Sequence, residues 1–331
     1  KPAFAALPAV ALLLASPRRW FAAALSRGIP DLSAAGLALY RVALAVALMA
    51  AILEYADLPD TPFPRELHRS YDWFANWDWV HALASHPAVE QWTTPVSLVL
   101  LGMFGAGLLA RPSYLVFLCV LTAHVFVVLQ HKSAHDWGLP LVTLWGLALV
   151  PWGDAPGVGT LTGRNPGQEN YGFAVWFPGL MIGLAFAAAA VAKLDSSGIE
   201  WVTGGAVKYH FIEDAPSAPT DWGLAVAGNE AAAVAMSAGA IVVEALFILH
   251  IFFRSAWVRF MFAVPGLLLL VGFRVLQGVL WTQWWVLFLC FVRWQGVARR
   301  LFGRAGAAVP HRMALPLGPA PATVVAVLIA I

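Results

Sequence analysis

The sequence predicts an all-α fold, a polytopic transmembrane helix bundle of about eight spans with interfacial helices. Three observations predict it. Hydrophobic residues are 60% of the chain and charged ones 11%, where a water-soluble domain carries roughly a quarter charged. Mean hydropathy is +0.74, and apolar runs near the length of a membrane crossing recur throughout. Lys and Arg alternate with acids from one connecting segment to the next, as the positive-inside rule requires.

In chain order, residues 1–35 form a basic segment with Arg18, Arg19 and Arg27 against Asp31. Its apolar run 4–15 is short for a span and reads as an interfacial helix, the remnant of a signal or the end of a longer helix. The membrane domain covers 36–294. Its first span, 36–54, is broken only by Arg41. Residues 55–92 leave the hydrocarbon, and Trp73, Trp77 and Trp79 among acids suit a helix at headgroup level. Spans 94–110 and 113–131 follow, with a tight turn expected at Arg111-Pro112, and then a shorter span at 137–151. Glycine and proline make 152–172 a loop. Span 174–193 ends on Lys193 and gives way to a polar region, 194–227. The last spans are 229–253, 257–276 and the Trp-rich 280–294. Residues 295–331 read as a basic tail closing on a short apolar run, 322–331.

The charges orient the bundle. Segment 55–92 holds six acids against Arg65 and Arg69, and 194–227 holds five against Lys208. Arg111, Arg254, Arg259 and the arginines after residue 295 fall on the opposite side, which the rule makes cytoplasmic. A bacterial inner membrane is the expected location.

Cys119 and Cys290 lie in apolar runs and form no metal motif. There is no nucleotide, zinc-protease or serine-hydrolase fingerprint, and no basic stripe for nucleic acid. The chemistry-bearing residues sit in the spans. His124, His131 and His135 share one face if their helix continues that far. Such a stripe can relay protons, bind a polar headgroup or ligate a metal, or consist of a buried histidine and interfacial decoration. No metal is expected, because only Asp136 adds a carboxylate. Glu244 lies deepest in its span, and Arg41 or Arg274 is its expected ion-pair partner. Lys193, at a span end, either snorkels or serves as a base.

The stretch around Lys193-Leu194-Asp195, with Trp201 and Gly204 behind it, resembles the vitamin K-dependent gamma-carboxylase family and its bacterial HTTM-domain relatives. The segment from Gln130 to Trp152 resembles that family's histidine-containing helix start, and Arg41 its first-span arginine. The resemblance implies an HTTM-like fold and a reduced quinone as cofactor. It implies a quinol-dependent oxidoreductase or carboxylase at the non-cytoplasmic face, with Lys193 and His135 as catalytic groups. His124, His131, Arg41 and Trp201 would then help hold the cofactor. Ala134 stands where the carboxylases have asparagine. The alternative is a non-catalytic accessory or scaffold subunit of a larger membrane complex, meeting lipids and other subunits through its Trp-rich helices.

Overall fold

The computed structural model describes residues 27–54, 78–84, 86–131, 135–157, 169–306 and 312–313. The apolar runs fold as helices because a helix satisfies its own backbone polar groups where no water is present. Among the described residues five helical stretches are long and apolar enough to cross a membrane: Ala34–Glu54, Ala110–Val128, Phe173–Ser197, Glu230–Phe252 and Ala256–Gln277. That set fits an integral membrane protein. The described residues divide into two compact units, 31–174 with 293–313, and 175–292 with 27–30.

In the first unit, helix α1 (Ala34–Glu54) buries Leu37, Tyr40, Arg41, Leu44 and Leu48 on one face. Its start is fixed by Ser33, whose Oγ accepts a hydrogen bond from the Gly36 N–H at 3.2 Å. Helix α2 (Asp78–Ala84) belongs to the expected headgroup-level segment 55–92, whose last residues, from Pro87 on, begin the next helix; residues 55–77 lie outside the described residues. Helices α3 (Pro87–Ala106) and α4 (Ala110–His131) form a hairpin. Their turn is at Gly107–Leu109, where Gly107 has φ +79° and Leu109 +48°, and not at Arg111-Pro112. Pro112 instead sits in the first turn of α4, where its missing N–H has no intrahelical partner to lose. Helix α5 (Gly138–Leu147) has 10 residues, half of the roughly 20 that a straight crossing takes. Residues 169–170 pair with 312–313 in a two-residue parallel ladder.

In the second unit, α6 (Phe173–Ser197) continues past Lys193 for another turn. The polar region 194–227 is largely helical, forming α7 (Glu200–Thr203), α8 (Val207–Asp214) and α9 (Trp222–Ala227). Trp201, Val207, Phe211 and Ala233 bury a shared apolar core there. Its acids dominate the composition and hide that face.

Helix α10 (Glu230–Phe247) is capped by Asn229, which accepts from the Ala232 N–H at 3.1 Å, and tightens into a 3₁₀ turn through Phe252. Helix α11 (Ala256–Gly272) ends in one π turn, Phe273–Gln277. Helix α12 (Thr282–Leu287) runs on as 3₁₀ to Phe291. Helix α13 (Trp294–Gly306) returns to the first unit and packs on α1, so the basic tail begins as a helix. The terminal apolar runs 4–15 and 322–331 lie outside the described residues.

Gly278 stops the α11 π turn at φ +74°, and a Cβ there would lie 2.0 Å from the Ser217 carbonyl oxygen. Gly278→Ala therefore meets both a left-handed backbone and a backbone collision. The expected loss is at least the ~1 kcal/mol of the backbone penalty alone, read as a lower thermal unfolding midpoint in detergent by circular dichroism.

Candidate functional site

A carboxylate inside an apolar helix must find a counter-charge or become neutral. Glu244 is that case, with its side chain 4% exposed in α10. Its Oε1 receives the Lys193 ammonium of α6 in a salt bridge. The helix runs one turn beyond Lys193, so the residue sits in regular helix rather than at a helix end. The same ammonium lies 5.1 Å from the centre of the Trp201 ring, within cation–π range. Trp201 is itself 8% exposed and held by Val207, Phe211 and Ala233. Three helices, α6, α7 and α10, thus converge on one charge pair.

The pair is asymmetric. The Lys193 side chain is 25% exposed, against 4% for Glu244. Glu244 Oε2 is buried and has no hydrogen-bond partner among the described residues. This corrects the expected pairing of Glu244 with Arg41 or Arg274. Arg274 is exposed on the π turn and donates from Nη1 to the Gly278 carbonyl at 3.2 Å.

Arg41 is solved differently. It is 1% exposed, and its guanidinium donates to the carbonyls of Trp152 (3.2 Å), Ala155 (3.2 Å) and Pro156 (2.6 Å). Gly107 and Gly157 make room for it, since a Cβ on either would lie 2.6 or 2.8 Å from Nη2. Tyr40, Phe104 and Tyr114 ring Trp152 just beside it. Arg41 therefore ties a loop to α1, and its described partners are all acceptors within the protein.

The histidines do not form one continuous stripe. Helix α4 ends at His131, and His135 begins a separate 3₁₀ turn, His135–Trp137. The side chains of His131 and His135 lie outside the described residues. His124 is 5% exposed, and its Nδ1 is 3.0 Å from Thr93 Oγ1, joining α4 to α3. Among the described residues no three His, Cys, Asp or Glu side chains gather as metal ligands.

One buried cluster was not legible as such. His250 is 0% exposed, with Nδ1 2.6 Å from the Phe247 carbonyl, so Nδ1 carries the proton. Arg259, counted in the sequence as a loop charge, is 3% exposed and donates to the Val175 carbonyl at 2.8 Å. Gly179 lets both approach α6, since a Cβ there would lie 2.6 Å from His250 Nε2. A charge three residues into a helix resembles a loop charge until the helix start is fixed at Ala256.

Arg41→Met strands the three loop carbonyls, at a cost of about 3 kcal/mol or more in stability. Arg41→Lys keeps the charge but not the fork and should recover only part of it. Thermal unfolding of the two variants in the same detergent checks the order wild type, lysine, methionine.

Comparison of the chain with protein-family models, curated proteins and solved structures finds no match, so the geometry alone carries the functional reading.

Proposed function

We propose that the chain is an HTTM-like integral membrane protein that binds the polar head of a quinol-type molecule at Lys193, Glu244 and Trp201. The observation that carries this is an ion pair between two apolar helices, α6 and α10, with one carboxylate oxygen still unpartnered among the described residues. A second feature supports it. An apolar cavity of about 450 Å³ lies between α8, α10 and α11, lined by Val207, Phe211, Ala240 and Leu276 among others. Those four residues also belong to, or pack on, the core that holds Trp201. A polar head and a hydrocarbon tail thus have adjacent, chemically matched surroundings.

In this reading the chain makes eight passes, with α3 as a full one. The short helices α5 and α12 cross with the help of their non-helical flanks. The site faces the non-cytoplasmic side of a bacterial inner membrane, in keeping with the acids of 194–227. The reaction class is quinol-dependent oxidation or carboxylation, with His135 as a further candidate group.

Titrating the purified full chain with short-chain quinols, followed by tryptophan fluorescence, tests the site. Saturable binding is expected, weakened at least tenfold, about 1.4 kcal/mol, in Lys193→Met and Glu244→Gln at unchanged helical circular dichroism. Variants that bind like the wild type would sink the proposal. Orientation is checked separately in a chain freed of its two native cysteines. Cysteines introduced at Gly198 and Ser255 should label from opposite faces of sealed vesicles.

A specific observation favours a second reading, an accessory subunit. The α10 and α11 stretches bury only 22% of their apolar windows, against 67% for α6. Exposed Val242, Leu246 and Leu268 would then dock on a neighbouring membrane protein. Stoichiometric co-purification in mild detergent, with those positions cross-linking to the neighbour, is the expected result for that reading.

A further inference from the structure

We infer that the proton-accepting group of this site is Glu244 and that Lys193 is its fixed counter-ion. The inference rests on the ligand site proposed above but reverses the roles that the family resemblance implies. Three observations carry it. The Lys193 ammonium is engaged by Glu244 Oε1 and faces the Trp201 ring at 5.1 Å. Both neighbours favour the charged amine, and a charged amine has no lone pair with which to accept a proton. Glu244 Oε2, by contrast, is buried, has no partner among the described residues and keeps its acceptor capacity. No second cation or acid enters the cluster: among the described residues Lys193 is the one ionic partner of Glu244. Arg274 and Arg259, on the adjoining α11 and its π turn, are engaged with carbonyls. The acids nearest in the chain, Asp195 and Glu200, are exposed.

The step balances without an oxidant. A ligand hydroxyl donates to Glu244 Oε2, its O–H bond breaks and an Oε2–H bond forms. The electron pair stays on the ligand oxygen, which becomes an anion. Protonating Glu244 frees the Lys193 ammonium from its carboxylate charge just as the ligand anion appears, so the cation passes from one anion to the other. A lysine base would instead leave two anions, carboxylate and ligand, beside a single ammonium.

Infrared spectroscopy of the purified full chain at pH 7 tests the assignment. Wild type, with Glu244 Oε1 engaged by the Lys193 ammonium, should show no protonated-carboxyl band from Glu244. Lys193→Gln should develop such a band, shifted in D₂O and absent from Lys193→Gln/Glu244→Gln. Lys193→Arg should not develop it. Added quinol should raise the band in wild type and not in Glu244→Gln. A lysine resonance lost in Lys193→Arg that titrates near neutrality, read by ¹³C-methyl NMR, would overturn the assignment. So would a Lys193→Gln variant without the band. If Lys193→Gln does not fold, the wild-type lysine titration and Lys193→Arg still decide. Absence of quinol binding would count against the proposed ligand alone, since the band in Lys193→Gln is read without any ligand.

Discussion

Glu244 in the last turn of α10 sets the terms for the rest of its unit. An ionised carboxylate among alanines and valines costs several kcal/mol unless a cation meets it. The cation comes from α6, a separate span, so the pair fixes which faces of α6 and α10 can meet. A slip of one residue on either helix turns the charge about 100° away from its partner and leaves it unpaired. Apolar packing alone is more permissive, because many rotations of a leucine-rich helix bury similar area. The ion pair and the Trp201 core beneath it therefore supply specificity that hydrophobicity cannot.

Arg41 and Lys193 show two solutions to the same cost. Arg41 is an always-charged fork, and the loop after α5 bends so that three carbonyls meet it. Only donors are involved on its side, so nothing there can take up a proton. The Lys193–Glu244 pair joins a donor to an acceptor and leaves one acceptor atom over. The first arrangement can only hold structure. The second holds structure and retains chemical capacity.

Much of this was legible in the sequence wherever the signal was long and local. The runs that became α1, α4, α6, α10 and α11 exceed what any soluble core helix needs, and Lys193 and Glu244 stood out as charges within them. What was not legible depended on contacts distant along the chain or on where a helix stops. Lys193 and Glu244 are far apart in sequence, and nothing local favours that lysine over Arg41 or Arg274. Arg111-Pro112 has the composition of a turn, yet proline is equally at home in a first helical turn. The histidine stripe presupposed a helix reaching His135, and α4 ends at His131. The acids of 194–227 drowned a sparse apolar pattern, Trp201, Val207 and Phe211, which folds into helices because it has a core to join.

That the unpartnered atom of Glu244 is an acceptor is what separates the candidate site from a plain staple. Buried polar groups in folded proteins nearly always find hydrogen bonds, and each exception calls for a reason. A purely structural pair could turn both carboxylate oxygens to donors; Arg41, which holds three carbonyls, also keeps a buried Nε without a partner among the described residues, but that atom is a donor and cannot take up a proton. Alternatively, an apolar pair of similar volume would serve stability as well or better. Keeping a carboxylate with one open acceptor costs stability beyond what fixing the faces of α6 and α10 requires. That cost makes sense if the acceptor is used by something that enters the site. Under the proposed reading, that molecule has a hydroxyl to give and an apolar tail to bury.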